Sequence, residues 1–516
     1  MILTTNSPVL IPLLFLVFGL LIPLVAWKRN SLAWPTLMLV STAATAISIY
    51  NVFRVLSTGP VHYRLGNWVP PIGIEYVLDY LSVFVMVVIN VVAFLVLLHA
   101  RKMVGKEMPG KQAPYFATVS LMLAGFNGIV VTGDLFNLYV FLEISSLSLY
   151  GLIAIGERKS PVAAFRYLIM GTVAASFYLL GVGFLYMTTG SLNMADVKAI
   201  LPSVIGQPTV LIALALMVLG MGIKMALFPL HGWLPDAYTY APSTSSAIIA
   251  PTGTKVASYV MLRVMFFVFG VSYVAKTLPL AAMLTWMAAI AIIYGSIMAI
   301  AQSEMKRMLA YSSVAQVGYI ALGIGLANPF GLIGAVLHIL NHAFMKAGLF
   351  LVSGNLRFKL GHSNIFKLDN TVRKKMPWTM AAFTVGALSM VGLPPMAGFF
   401  SKWYLIRGAY SSPSWTGWVF IGVIFLSSLL NAVYFFRIIE KVYMKPLIAS
   451  KNSANGHDHN DHHAAGHVVE AEVPRDEVSG SMLIPTLLLA TGLIVLGILN
   501  AFIVNGIIKY IIPAGM

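Results

Sequence analysis

"LGMGIKMALFPLHGWLPDAY", residues 219–238, sets a lysine inside an apolar run and a proline five residues after it. Lys224 follows the apolar stretch 210–221 and is followed by Met225, Ala226, Leu227 and Phe228. The stretch predicts a membrane helix that carries a cation. Pro229 has no backbone N–H and breaks that helix just past the charge. Broken backbone at membrane depth survives only where protein or water satisfies the freed carbonyls. The stretch therefore points to a polytopic protein with a charged path through its interior.

The rest of the chain agrees. Of 516 residues, 59% are hydrophobic and 10% charged, and the mean hydropathy is +0.86. Runs of about 20 apolar residues, each enough to cross roughly 30 Å of hydrocarbon, begin near residues 8, 31, 77, 114, 135, 162, 209, 244, 279, 309, 330, 378, 416 and 482. The expectation is an all-α polytopic membrane protein of about 14 transmembrane helices, with no appended soluble module. The first run is read as a retained helix and not a signal peptide, because Lys28 and Arg29 follow it and no basic segment precedes it. There is no cysteine, which excludes disulfides and cysteine-ligated iron–sulfur clusters. No phosphate-binding loop or dinucleotide fingerprint is present, and no organic cofactor is implied.

The formal charge of +16 reflects orientation and not nucleic-acid binding. With the termini outside, the inner loops hold 20 of the 33 Lys/Arg and the outer loops 6. That bias predicts a cell-membrane protein with both termini outside. Seven basic residues remain within or at the edges of spans: Arg166, Lys224, Lys255, Arg263, Lys346, Lys402 and Arg437. Arg166 and Arg437 lie near span ends, where long side chains snorkel to the interface; Arg263 is undecided. Each of the four lysines costs at least about 2.5–3.5 kcal/mol at the bilayer centre.

Of 17 acids, only Glu143 lies well inside an apolar run, with Asp134 at the turn before it. A Glu143–Lys224 ion pair is the cheapest way to bury either group. It is either a static lock between helices or a switch, in which a lysine whose partner comes and goes loads and releases a proton. A second break, "VGLPPMAGFFSKW", puts Pro394 and Pro395 just before Lys402. A proline beside a buried charge is either a packing kink or part of an ion site. In "AVLHILNHAFMKAGLF", His338, His342 and Lys346 recur every four residues and share one helix face. They read as a proton relay. Structural histidines are the alternative, and a metal site lacks a visible third ligand.

"KMALFPLHGWLPDAYTYAPSTSSAIIA", "MKRMLAYSSVAQVGYIALG", "LHILNHAFMKAGLFLVSGN", "MPWTMAAFTVGALSMVGLPPMAGFFSKWYL" and "TGDLFNLYVFLEISSLSLY" span roughly residues 70–445. They resemble the antiporter-like, proton-pumping subunits of respiratory complex I. The likeness is closer to the D subunit of Mrp-type multisubunit sodium/proton antiporters and to relatives in membrane-bound hydrogenases. The resemblance implies two inverted five-helix repeats, each with a broken helix. It implies residues 1–113 as about three N-terminal helices, 114–270 and 271–447 as the repeats, 448–480 as a cytoplasmic loop and 481–516 as a last helix. It assigns Glu143 and Lys224 as the gating pair, Lys255 and His338 as connecting stations and Lys402 as the terminal proton site. Partners would be other hydrophobic subunits of a membrane complex, with protons and sodium as cargo. Two features depart from the family. Pro251 and Thr252 replace a small-residue stretch before Lys255, and residues 456–477 carry five histidines and six acids, which read as a solvated linker. A redox-driven pumping arm and a purely structural subunit are the competing readings; the second would need as many buried acids as lysines.

Overall fold

The computed structural model describes residues 2–516 except 157, 278, 413, 445–472 and 514. From the N-terminus, α1 (Ile2–Val25) and α2 (Ala33–Thr58) lead into a hairpin of β1 (Val61–Arg64) and β2 (Glu75–Leu78), paired from Val61 opposite Leu78 to Arg64 opposite Glu75. Then come α3 (Tyr80–Glu107), α4 (Gln112–Val131), α5 (Leu135–Ala154), α6 (Ser160–Thr189), α7 (Met194–Val204), α8 (Pro208–Met225), α9 (Leu234–Tyr240) and α10 (Ser243–Leu262). The second half has α11 (Leu280–Ile300), α12 (Met305–Gly325), α13 (Pro329–Leu360), α14 (Asn370–Lys375), α15 (Pro377–Val391), α16 (Ala397–Tyr410), α17 (Thr416–Ile439), α18 (Gly480–Ile498) and α19 (Asn500–Gly506).

Twelve described helices are long and apolar enough to cross a membrane: α1 to α6, α8, α11 to α13, α17 and α18. With α10 and the broken α15–α16 pair, every expected span finds its helix, and the chain is a multi-pass integral membrane protein. α10 is long enough but less apolar, because it carries Ser243 to Ser246, Thr252, Thr254, Lys255 and Ser258, all buried. A polar helix is tolerated at membrane depth when other helices screen it from lipid. α12 and α13 are almost wholly buried, whereas α1, α2, α6, α17 and α18 expose one side, with Leu20, Phe53, Phe165, Phe425 and Ile484 outward. Polar residues thus collect on the three central helices α10, α12 and α13.

From α4 onward, two sets of five crossings follow one order: three unbroken helices, a broken one and an unbroken one. Five is odd, so the second set starts on the opposite face and is inverted. The first break separates α8 from α9. Ala226 ends α8 in the left-handed region (φ +60°), and Pro229 and Pro235 flank the turn. Ile223 O, freed there, accepts from Trp233 Nε1 at 2.9 Å. The second break separates α15 from α16 at Gly392 (φ +91°), Pro394 and Pro395. A Cβ at Gly392 would also lie 3.0 Å from Lys402 Cδ, so glycine is required there twice over.

The histidine-rich stretch lies, up to residue 472, outside the described residues. Its far end is no free linker: Glu477 caps the start of α15 through Trp378 N and Thr379 N, both 3.1 Å, and Asp476 pairs with Lys359.

Candidate functional site

On α5, Glu143, Ser146 and Tyr150 fall on one face at intervals of three and four. Lys224, buried in the last turn of α8, donates to Ser146 Oγ at 2.6 Å and reaches Tyr150 OH at 3.5 Å. The expected Glu143–Lys224 ion pair is not closed. No ion pair joins them among the described residues, and Glu143 Oε1 is buried without a partner while staying within electrostatic reach of Lys224. Ser146, one turn along α5 from Glu143, has taken the ammonium. Beside Lys224 lies a cavity of about 30 Å³ lined by Ser145, Ser146, Tyr167, Gly253, Val256 and Ala257 among others. It is large enough for one water and reaches from Lys224 to α10.

Pro251 leaves α10 unbroken, and Thr252 Oγ1 donates to Ile248 O one turn back at 2.5 Å. The irregularity comes later, as a π-turn over Arg263–Val268. Lys255, fully enclosed, donates to Ala250 O at 2.7 Å and Thr254 Oγ1 at 3.2 Å. It lies within electrostatic reach of His338, His342 and Lys346.

In the second set, Lys346 donates to Leu309 O at 2.7 Å and to Ser312 Oγ. The His338 and His342 rings stack at 5.7 Å, 20° from parallel. His338 meets Ser401 Oγ at 2.8 Å through Nδ1 and Gln316 Oε1 at 3.0 Å through Nε2, so neither nitrogen faces a metal. Both nitrogens of His342 are buried without a protein partner. Lys402 donates to Met390 O at 3.0 Å, Val391 O at 2.9 Å and Ser428 Oγ at 2.9 Å. An ammonium has three donors, and all three are used, two of them on carbonyls freed at the end of α15. Cations are favoured at that end of a helix dipole. The break that Pro394 and Pro395 impose therefore builds the seat of Lys402.

The arginines behave differently. Arg263 grips Asp79 with two bonds, 2.5 and 2.7 Å, and reaches Tyr259 OH at 3.1 Å. Burial would raise the Asp79 carboxyl, but the Arg263 guanidinium and the Ser82 backbone N–H outweigh it and hold Asp79 below the usual range. Arg166 pairs with Asp236 at 2.7 Å, and Arg437 donates to Ile300 O at 3.0 Å and Gln302 O at 2.7 Å. Their partners come from sequence-distant segments, at helix ends. Arg263, Arg166 and Arg437 thus hold carboxylates and helix-end carbonyls, while Lys224, Lys255, Lys346 and Lys402 have only hydroxyls and carbonyls.

Sequence reasoning passed over α12. Its "MKRMLAYSSVAQVGY" places Lys306, Leu309, Ser312, Gln316 and Tyr319 at spacings of three and four. Leu309 and Ser312 take Lys346, Gln316 takes His338, and the Tyr319 ring lies 5.0 Å from Lys402 Nζ. Lys306 is buried and donates to Ala241 O at 2.5 Å. The periodicity of small polar residues in an otherwise apolar span was the available signal.

Two inverted helix sets, each broken beside a buried lysine and joined by a central polar row, define an antiporter-like membrane subunit. The chain matches the family described as "NADH:quinone oxidoreductase/Mrp antiporter, TM" over residues 132–429, and it belongs to that family. It is 48% identical over 442 residues to the N subunit of the NADH-quinone oxidoreductase of Desulforudis audaxviator, covering 85% of this chain and 87% of the relative. It is 32% identical over 430 residues to the D subunit of the Na(+)/H(+) antiporter of Bacillus subtilis, covering 81% and 85%. Its fold superposes with a TM-score of 0.86 on a chain of the membrane-bound sulfane sulfur reductase, an archaeal respiratory membrane complex, at 30% identity and 98% coverage of both chains. It is thus an antiporter-like subunit of the kind that serves Mrp or complex I-type complexes.

Proposed function

We propose that this chain carries protons along Glu143, Lys224, Lys255, His342 with Lys346, His338 and Lys402, as a subunit of a multisubunit sodium/proton antiporter. The observation that carries the reading is that the four lysines set well inside the spans, Lys224, Lys255, Lys346 and Lys402, are bonded only to hydroxyls and carbonyls. A structural lock would pair its cations with acids, as Arg263 does. An ammonium held by neutral acceptors can release its proton without stranding a carboxylate. The open Glu143–Lys224 pair is one setting of a switch: with Glu143 engaged the ammonium is favoured, and on Ser146 it is ready to discharge. The cavity beside Lys224 supplies the water step to α10.

We take residues 114–270 and 271–447 as the two transporting repeats, residues 1–113 and 481–516 as flanking helices and residues 448–480 as an inner loop. The Lys/Arg distribution supports a cell-membrane location with both termini outside. The pumping arm of a redox complex shares this chemistry, and the 48% identity to a quinone oxidoreductase subunit favours it. Gentle purification of the tagged chain with its partners distinguishes the two. Small hydrophobic subunits alone support the antiporter, whereas flavin, iron–sulfur or nickel–iron subunits establish the redox arm. Vesicle transport by Lys224→Ala tests the proton path itself: full activity in an assembled complex refutes it.

A further inference from the structure

α12 holds the second helix set's stations, and one of its contacts can serve His338 in either charge state. Ser401 Oγ lies 2.8 Å from His338 Nδ1 and can place its own proton on Gly398 O at 3.2 Å, which leaves its oxygen free to accept from an Nδ1–H. His338 Nε2 lies 3.0 Å from Gln316 Oε1. A carboxamide oxygen only accepts, so in this orientation of the amide Gln316 suits an Nε2 that carries a proton. A carboxamide, however, presents a donor and an acceptor at nearly the same place, and a half-turn exchanges them. Gln316 Nε2 is buried without a protein partner, so the turn breaks no other protein bond. After it, the amide NH₂ donates to the bare Nε2 of a neutral imidazole. Gln316 therefore fits His338 in both charge states. A carboxylate would fit only the charged ring, and an aliphatic side chain neither.

We propose that Gln316 is the positioning residue that assigns the exchangeable proton of His338 to Nε2, its amide making a half-turn each time the proton arrives or leaves. One N–H bond forms at Nε2 on loading and the same bond breaks on release; nothing is oxidised or reduced. Nδ1 keeps its proton towards Ser401 throughout. The titratable and charged groups around His338 are Lys255 on α10, Tyr319 on α12, His342 on the same helix and Lys402 on α16. The inference rests on the proton-carrying reading and adds the residue that orients one station.

The test uses the intact complex in vesicles with Gln316→Leu, Gln316→Glu and Lys224→Ala, together with ¹⁵N NMR of histidine-labelled complex. Gln316→Leu should assemble and transport at least tenfold more slowly, with an altered pH profile. Gln316→Glu should keep His338 doubly protonated at pH values where the wild type releases the Nε2 proton. A purely structural Gln316 would change yield and leave the histidine titration alone. Wild-type titration of His338 in Gln316→Glu overturns the inference. So does a wild-type rate and pH profile in Gln316→Leu when Lys224→Ala is inactive. If Lys224→Ala transports normally, the row itself fails, and the NMR titration still decides the role of Gln316. Should Gln316→Leu not assemble, the near-isosteric Gln316→Glu carries the decision.

Discussion

Gly253→Ala separates transport from stability at a single methyl group. Gly253 lines the cavity of about 30 Å³ beside Lys224, two residues before Lys255 in the unbroken α10. A Cβ there would meet Phe126 Cζ at 3.7 Å and Ile249 Cγ2 at 3.9 Å, ordinary contact distances that require no neighbour to move. Replacing a mid-helix glycine by alanine gains up to about 1 kcal/mol. The variant should therefore assemble and unfold no earlier than the wild type. A methyl nevertheless takes up most of the space one water needs. Losing a hydrogen bond between that water and the Lys224 ammonium costs about 1.5–3 kcal/mol. At about 1.4 kcal/mol per factor of ten, the proton step slows roughly 10- to 150-fold. The assay is proton movement in vesicles holding equal amounts of assembled complex, with thermal unfolding of the same preparation. Wild-type transport by a stable Gly253→Ala complex would refute the cavity as a step on the path. Loss of assembly would refute the packing argument instead.

Further outcomes follow from the same geometry. Glu143→Ala should abolish coupled transport while assembly persists, as for Lys224→Ala, read by vesicle transport and native gels. Lys224→Arg should be equally inactive, because a guanidinium does not release its proton; an active arginine variant would make Lys224 a fixed charge. Asp79→Asn strands Arg263 and should cost about 3–5 kcal/mol, seen as a lower unfolding temperature. The Asp79 carboxyl sits below its usual range in the fold, so its contribution is present in full above about pH 4. It is lost as pH falls through the lowered value, because the unfolded chain then binds the proton more readily. Acid unfolding of Asp79→Asn should lack that component. Ala226→Gly relieves a left-handed alanine and should gain about 1 kcal/mol with transport preserved, measured by thermal unfolding and vesicle assay.

The sequence alone determined the membrane class, the spans and the two breaks, because each depends on local chemistry. Twenty apolar residues in a row have few alternatives to a bilayer, and a proline breaks a helix wherever the helix goes. It also exposed Lys224, Lys255, Lys346 and Lys402, since a charge inside an apolar run stands out without reference to anything distant. What those charges touch was decided only by tertiary structure. Ser146 and not Glu143 holds Lys224 because α5 presents both at neighbouring turns and the packing of α8 selects one. The partners of Arg166 and Arg437 are likewise invisible in the sequence, because Asp236 and the carbonyls of Ile300 and Gln302 come beside them from sequence-distant segments. The partner of Gln316 is hidden for the same reason, although the polar periodicity of α12 marks its position. A glutamine in an apolar helix shows its meaning only when folding brings His338, 22 residues away, within 3.0 Å of its amide.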